Sequence, residues 1–194
     1  MQKIAVAQLM SLEQYARERP ALRAGMIEHR RNRQLHIGEH CSWSFEDQRT
    51  VRYQVQEMLR SERIFEPEAI AEELNTYNPL IPDGSNLKAT LMIEYEDPVE
   101  RARRLAELRG FERHCWMRVD GFEPVYAIAD EDLTRENDIK TSAVHFLRFE
   151  FSAAMIAAAK SGSGLAAGVD HPNYRQVVDP LPAGLRRTLL EDFA

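Results

Sequence analysis

Cysteine is scarce in this chain of 194 residues: there are two, Cys41 and Cys115, and no C-x-x-C pair. That excludes a disulfide framework and a cysteine-built structural zinc site. Lysine is scarce as well, with Lys3, Lys88, Lys140 and Lys160 the only lysines among 25 basic residues. A GC-rich genome accounts for such a ratio but not for any one position, and guanidinium suits planar carboxylate or phosphate groups. Positive charge is in overall deficit at −6, which argues against duplex DNA or an anionic membrane as the main partner. Arg30, Arg31 and Arg33 form a local basic cluster that reads as a solvated helix end favoured by the helix dipole. No stretch approaches a membrane span, and the first thirty residues hold no apolar run of signal-peptide type. Repeats, linkers and low-complexity tracts are also missing. The expectation is a cytoplasmic bacterial protein that contacts neither nucleic acid nor membrane.

What is present fits one globular domain with a sizeable core: 44% hydrophobic and 29% charged residues. Residues 1–80 are helix-rich and residues 81–194 strand-rich, so a single α+β domain is expected, with the helical half packed on a mostly antiparallel sheet of about four or five strands. Ser11 caps a first helix, and Pro20 marks the start of a second that runs to about Arg33. Pro67 opens a short helix through Leu74, and TYNPLIPDGSN is a dense turn region. In LKATLMIEY, Leu87, Ala89, Leu91, Ile93 and Tyr95 alternate onto one side of a strand. Asp97-Pro98 starts a helix closed by Gly110, and Asp120-Gly121 joins two strands as a hairpin. Residues 143–151 form the strongest strand, Ser152 caps an alanine-rich helix, and a last helix spans about 183–193.

The segment FEDQRTVRYQVQEMLRSERIFE, residues 45 to 66, reads as a helix with a carboxylate inside its own apolar stripe. Val51, Val55, Met58 and Phe65 share one face and Glu62 projects from its centre, while Arg52, Gln56, Arg60 and Arg63 lie elsewhere. A carboxylate aimed at a core has to be paired, protonated or bound to metal. His145 shares a strand face with Leu147, Phe149 and Phe151, so it points to packed surface. Its bland reading is a neutral core histidine. Its functional reading brings it to Glu62 or Glu57, the N and O donors of a non-haem iron or zinc site. His40, paired with His36 across Gly38, and His171 in Asp170-His171-Pro172 are further candidate ligands, each with an ordinary turn reading beside it. G-S-G-L-A-A-G from Gly162 follows a helix rather than a strand, so it is no dinucleotide loop. Asp83, Ser85, Asn86 and Lys88, next to an arginine-rich helix, form a candidate anion site together with Arg52, Arg60 and Arg63.

The strings FEDQRTVRYQVQEMLRSERIFE, TYNPLIPDGSN, YAIADEDL, KTSAVHFLRFEF and GVDHPNY resemble the bacterial family catalogued as domain of unknown function 3501, over almost the whole length. The family-like strings contain Glu57, Arg60, Glu62, Asp83, Asn86, His145 and His171; His40 also fits, whereas Cys41 and Cys115 depart from the pattern. The resemblance implies a gene neighbourhood with rubrerythrin-like and heterodisulfide-reductase-like iron–sulfur proteins. From it comes the expectation of a redox-associated accessory or binding protein acting with such partners. The alternatives are an iron-dependent enzyme with a His/Glu site, and a binder of a small anionic ligand. Whether the chain is an enzyme stays open at this stage.

Overall fold

The structure is a computed structural model that describes residues 2–129, 131 and 140–194. Ser11 caps α1 (Leu12–Arg31) by accepting from Gln14 N, and the helix runs unbroken through Pro20, so one helix stands where the sequence indicates two. The chain then forms β1 (Gln34–His36) and β2 (Cys41–Phe45), joined by a turn at Gly38, whose φ of +72° suits glycine. Asp47 caps α2 (Gln48–Ser61), accepting from the Thr50 amide.

The end of α2 corrects the expected face of this helix: Val51 and Val55 are buried as expected, but Glu62 and Phe65 do not share their stripe. Arg63 adopts φ 55°, and Ile64 N donates to Leu59 O, a Schellman closure with Ile64 packed beside the cluster that holds Leu59. Glu62 is therefore the C-cap, exposed, and Phe65 lies beyond the helix at 65% exposure. The buried stripe is Val51, Val55 and Leu59, at strict i, i+4, i+8 spacing, with Gln56 beside it.

After α3 (Pro67–Tyr77) and a 3₁₀ turn at Asn78–Leu80 comes β3 (Asn86–Ile93). The rest is α4 (Pro98–Glu107), β4 (Cys115–Val119), β5 (Val125–Tyr126), β6 (Ile128–Ala129), β7 (Val144–Glu150), α5 (Ala153–Lys160), β8 (Leu165–His171), β9 (Tyr174–Val178) and α6 (Ala183–Leu190). This is the α+β domain expected, and among the described residues the strands fall into two antiparallel sheets. One has five strands in the order β1-β2-β3-β7-β6, and a further one has four, β5-β4-β8-β9.

Alternation decides what each sheet buries. Trp43, Leu87, Leu91, Leu147 and Phe149 from the five-stranded sheet meet Cys115, Met117, Leu165 and Val169 from the four-stranded one in a continuous core. A smaller cluster of Ile4, Val51, Val55, Leu59, Leu74 and Ile81 lies under α2 and α3. The opposite face of the five-stranded sheet, carrying the out-of-phase residues of β3 and β7, is left for other uses. Among the described residues no helix is long and apolar enough to cross a membrane.

Candidate functional site

Residues that alternate away from the core form cross-strand rows on the outer face of the five-stranded sheet. Lys88 is opposite Arg148 and Thr90 is opposite Phe146. Glu46 joins the first row, because its amide donates to Lys88 O and so continues the β2–β3 ladder past Phe45↔Ala89. Tyr77, Pro79 and Leu80 cross over this face at the end of α3. Between them and the sheet is a cavity of about 590 Å³, lined also by Glu46, Lys88, Glu131, Phe146 and Arg148. A smaller space of about 240 Å³ shares Glu46, Tyr77, Leu80 and Phe146 and extends to Arg30, Val51 and Gln54. Apolar walls with a few convergent charges are the usual makeup of a small-molecule site.

The charges are not equally satisfied. Arg148 holds Glu131 in a bidentate pair, Nε to Oε2 and Nη2 to Oε1 both at 2.7 Å, and its Nη1 also bonds Glu150. The bond to Glu131 raises the Arg148 pKa and keeps the Glu131 carboxyl below its usual range. Glu46 is occupied by two hydroxyls, accepting from Thr90 Oγ1 at 2.8 Å and from Thr50 Oγ1. Lys88 differs. Its ammonium, with three protons to donate, has one hydrogen bond among the described residues, to the Pro79 carbonyl. Burial pushes its pKa down; Asp83 opposes that, and Arg148 adds to it. In the smaller space the Arg30 Nε is buried without a hydrogen-bond partner among the described residues, and its guanidinium carbon is 5.9 Å from the Tyr53 ring centre.

The residues singled out from the sequence are dispersed. Glu62 and His145 do not meet: Glu62 is exposed at the end of α2, while His145 is fully buried on the inner face of β7. His145 Nε2 is 2.8 Å from Thr141 Oγ1, 3.1 Å from the Ser142 carbonyl oxygen and 3.9 Å from Glu112 Oε2. Glu57 pairs with α1 instead, taking both Arg19 Nε at 2.7 Å and Nη2 at 2.8 Å, plus the Tyr15 hydroxyl at 2.6 Å. Arg19 holds its carboxyl below the usual range. His40 stacks on Tyr95 at 4.0 Å between ring centres, with Nδ1 against the Glu94 carbonyl. His171 ends β8, where Nε2 meets the Arg109 carbonyl and Nδ1 accepts from Asn173 N. Burial lowers its pKa. Among the described residues no three His, Cys, Asp or Glu side chains come together as a metal would require. The expected His40, Glu57, Glu62, His145 and His171 donor set is thus not assembled.

The anion set is also redistributed. Arg52, Arg60 and Arg63 are exposed, and Arg52 lines a separate space of about 150 Å³ beside Tyr15 and Met26. Asp83 and Asn86 build the turn, Asp83 Oδ1 accepting from Ser85 N and Asn86 Oδ1 from Asp83 N; Asn86 also donates to Glu150. Their neighbour Lys88 is the one that reaches the cavity. Arg148, Phe146 and Tyr77 were missed from the sequence, although the position of Arg148 between the inward Leu147 and Phe149 marks it as outward. On the four-stranded sheet Asp170, singled out from the sequence beside His171, has partners that the sequence does not indicate: it accepts from Tyr126 OH at 2.6 Å and lies 3.0 Å from His114 Nδ1. Burial pushes Asp170 up, but these two bonds and the His114 charge outweigh it and keep its carboxyl low.

The chain resembles a crystal structure described as a novel protein of unknown function from Burkholderia pseudomallei K96243. The two are 47% identical over 100% of both chains, with a TM-score of 0.94. No curated protein matches it. The model of a family described as proteins of unknown function (DUF3501) matches residues 3–193. With nearly every residue inside that match, the chain belongs to the DUF3501 family.

Proposed function

We propose that the protein binds a small organic anion, a carboxylate on an apolar body, in the cavity between the outer face of β3 and β7 and the Tyr77–Leu80 segment. One observation carries this reading: the Lys88 ammonium lines the cavity with a carbonyl, rather than a carboxylate, as its hydrogen-bond acceptor. Arg148 opposite is already neutralised by Glu131 and Glu150, so among the described residues that line the cavity Lys88 is the cation with donors to offer. Tyr77, Pro79, Leu80 and Phe146 supply the apolar wall against which the body of the ligand packs. An accessory role beside rubrerythrin-like or iron–sulfur partners rests on the family resemblance, and an iron-dependent reaction on a His145, Glu57 and Glu62 donor set that the described residues do not bring together.

A thermal-shift series with hexanoate, phenylpropanoate and inorganic phosphate tests the reading, since a ligand that binds only the folded chain stabilises it by about 2.7 kcal/mol at a hundredfold excess over Kd. The two carboxylates are expected to raise the midpoint in the parent protein and not in Lys88→Met. A midpoint unmoved by both carboxylates, or moved equally in the variant, contradicts it. A response to phosphate alone replaces the carboxylate with an inorganic anion.

A further inference from the structure

We propose that Lys88 is a nucleophilic amine that condenses with the carbonyl carbon of an oxo acid held in the cavity, forming an imine. This rests on the anion-binding reading and adds covalent chemistry to it.

The first support is the choice of residue. The chain uses arginine for 21 of its 25 basic residues, so a cation needed only for charge would be met by arginine here as elsewhere. Arginine cannot shed its proton, whereas lysine can. Lys3 and Lys140 are exposed, and Lys160 donates to the carbonyls of Phe193 and Ala194. Lys88 is the lysine that lines the cavity.

The second support is where Lys88 sits. It is half-buried, and it projects from β3 into the cavity opposite Arg148, whose charge is balanced by Glu131 and Glu150. Desolvation is one means by which proteins make a lysine amine nucleophilic. Burial is the largest influence on Lys88 and lowers its pKa against the opposing pull of Asp83, which is bonded within its own turn. Glu46, next in the row, is held by Thr50 and Thr90. The Pro79 carbonyl takes one Nζ proton, which fixes the nitrogen at the cavity wall.

The reaction needs no oxidant or reductant. The neutral Nζ lone pair forms a bond to the carbonyl carbon, the C=O pair moves to oxygen, and a proton passes from nitrogen to that oxygen through water. A further proton, taken up by that hydroxyl from solvent, lets the C–O bond break with release of water and leaves the protonated imine. The protonated imine carries the single positive charge that the ammonium carried, and the oxo acid's own carboxylate lies beside it.

The test uses pyruvate and phenylpyruvate with the parent protein, followed by sodium borohydride, with intact-mass and peptide mass analysis. Because there are four lysines, each is its own control. One reduced adduct at neutral pH, on the peptide containing Lys88, is expected, with the other three lysines unlabelled under the same conditions. Lys88→Arg, which keeps the charge, and excess phenylpropanoate, which occupies the cavity without reacting, are both expected to abolish the adduct. Even labelling of all four lysines, or labelling unchanged in Lys88→Arg, overturns the proposal. If phenylpropanoate stabilises the protein but no adduct forms, imine chemistry is overturned and anion binding stands. If neither occurs, both are overturned.

Discussion

Lys88 on β3 and Arg148 on β7 are directly opposite in the ladder, and both line the same cavity. Like charges so placed repel, an arrangement sheets ordinarily avoid. Arg148 is relieved by Glu131 and Glu150, whereas Lys88 is met by a carbonyl oxygen. A bound carboxylate would give the Lys88 ammonium an anionic acceptor in place of, or beside, that carbonyl.

Replacing Lys88 with methionine should therefore separate folding from binding. The variant loses one hydrogen bond to Pro79 but places an apolar chain where a half-buried ammonium stood, so urea unfolding should change by less than about 1 kcal/mol. The stabilisation by phenylpropanoate should disappear in the same variant. A large loss of stability would assign Lys88 a structural role instead.

Two carboxylates of α2 should behave oppositely in their surroundings. Glu62→Ala, at an exposed C-cap, should alter stability by no more than about 0.5 kcal/mol in chemical denaturation. Tyr15→Phe removes a buried hydroxyl donor from Glu57 and should cost roughly 1.5–3 kcal/mol. A costly Glu62 change, or a silent Tyr15 change, would mean the helix is turned differently on α1.

Gly38 is held at φ +72°, and a Cβ there would come within 2.5 Å of the Tyr174 hydroxyl. That hydroxyl donates to the Ile37 carbonyl at 2.6 Å and accepts from His40 N, tying the β1–β2 turn to the other sheet. Gly38→Ala meets a backbone cost of about 1–2 kcal/mol and displaces this contact as well. A thermal midpoint within error of the parent would show that the turn is not tied in this way.

Asp192 gives the fold a pH dependence. Burial raises its pKa to about 6, although Arg33, bonded to both Asp192 and Asp47, pulls it down. The folded chain holds this proton more tightly than the unfolded one. The contribution is thus fully present below about pH 4, the unfolded value, and is lost as pH rises through about 6. Urea unfolding of the parent relative to Asp192→Asn should shift toward the parent by on the order of 2 kcal/mol between pH 7.5 and pH 4. A pH-independent difference would mean that the pair with Arg33 keeps Asp192 ionised throughout.

The inner faces of β3 and β7 are legible in the sequence because a buried strand face demands strict alternation, and Leu87, Leu91, Leu147 and Phe149 supply it. His145 is correctly placed inward by the same rule. The rotation of α2 is not legible, because it depends on a Schellman closure with arginine, rather than glycine, at positive φ. Nor is the cavity. The Lys88–Arg148 row arises from the register between two segments far apart in the chain, and Tyr77 reaches that row through a helix end whose path only packing decides. The partners of Glu57 escape the sequence for the same reason, since they come from α1.

The most direct measurement is a crystal structure of the protein grown with phenylpropanoate. Density in the cavity is expected, with the ligand carboxylate within hydrogen-bond distance of Lys88 Nζ and its ring against Tyr77 and Phe146. An empty cavity at a ligand concentration that saturates the thermal shift, or a ligand bound elsewhere, would contradict the assignment of this face as the binding site.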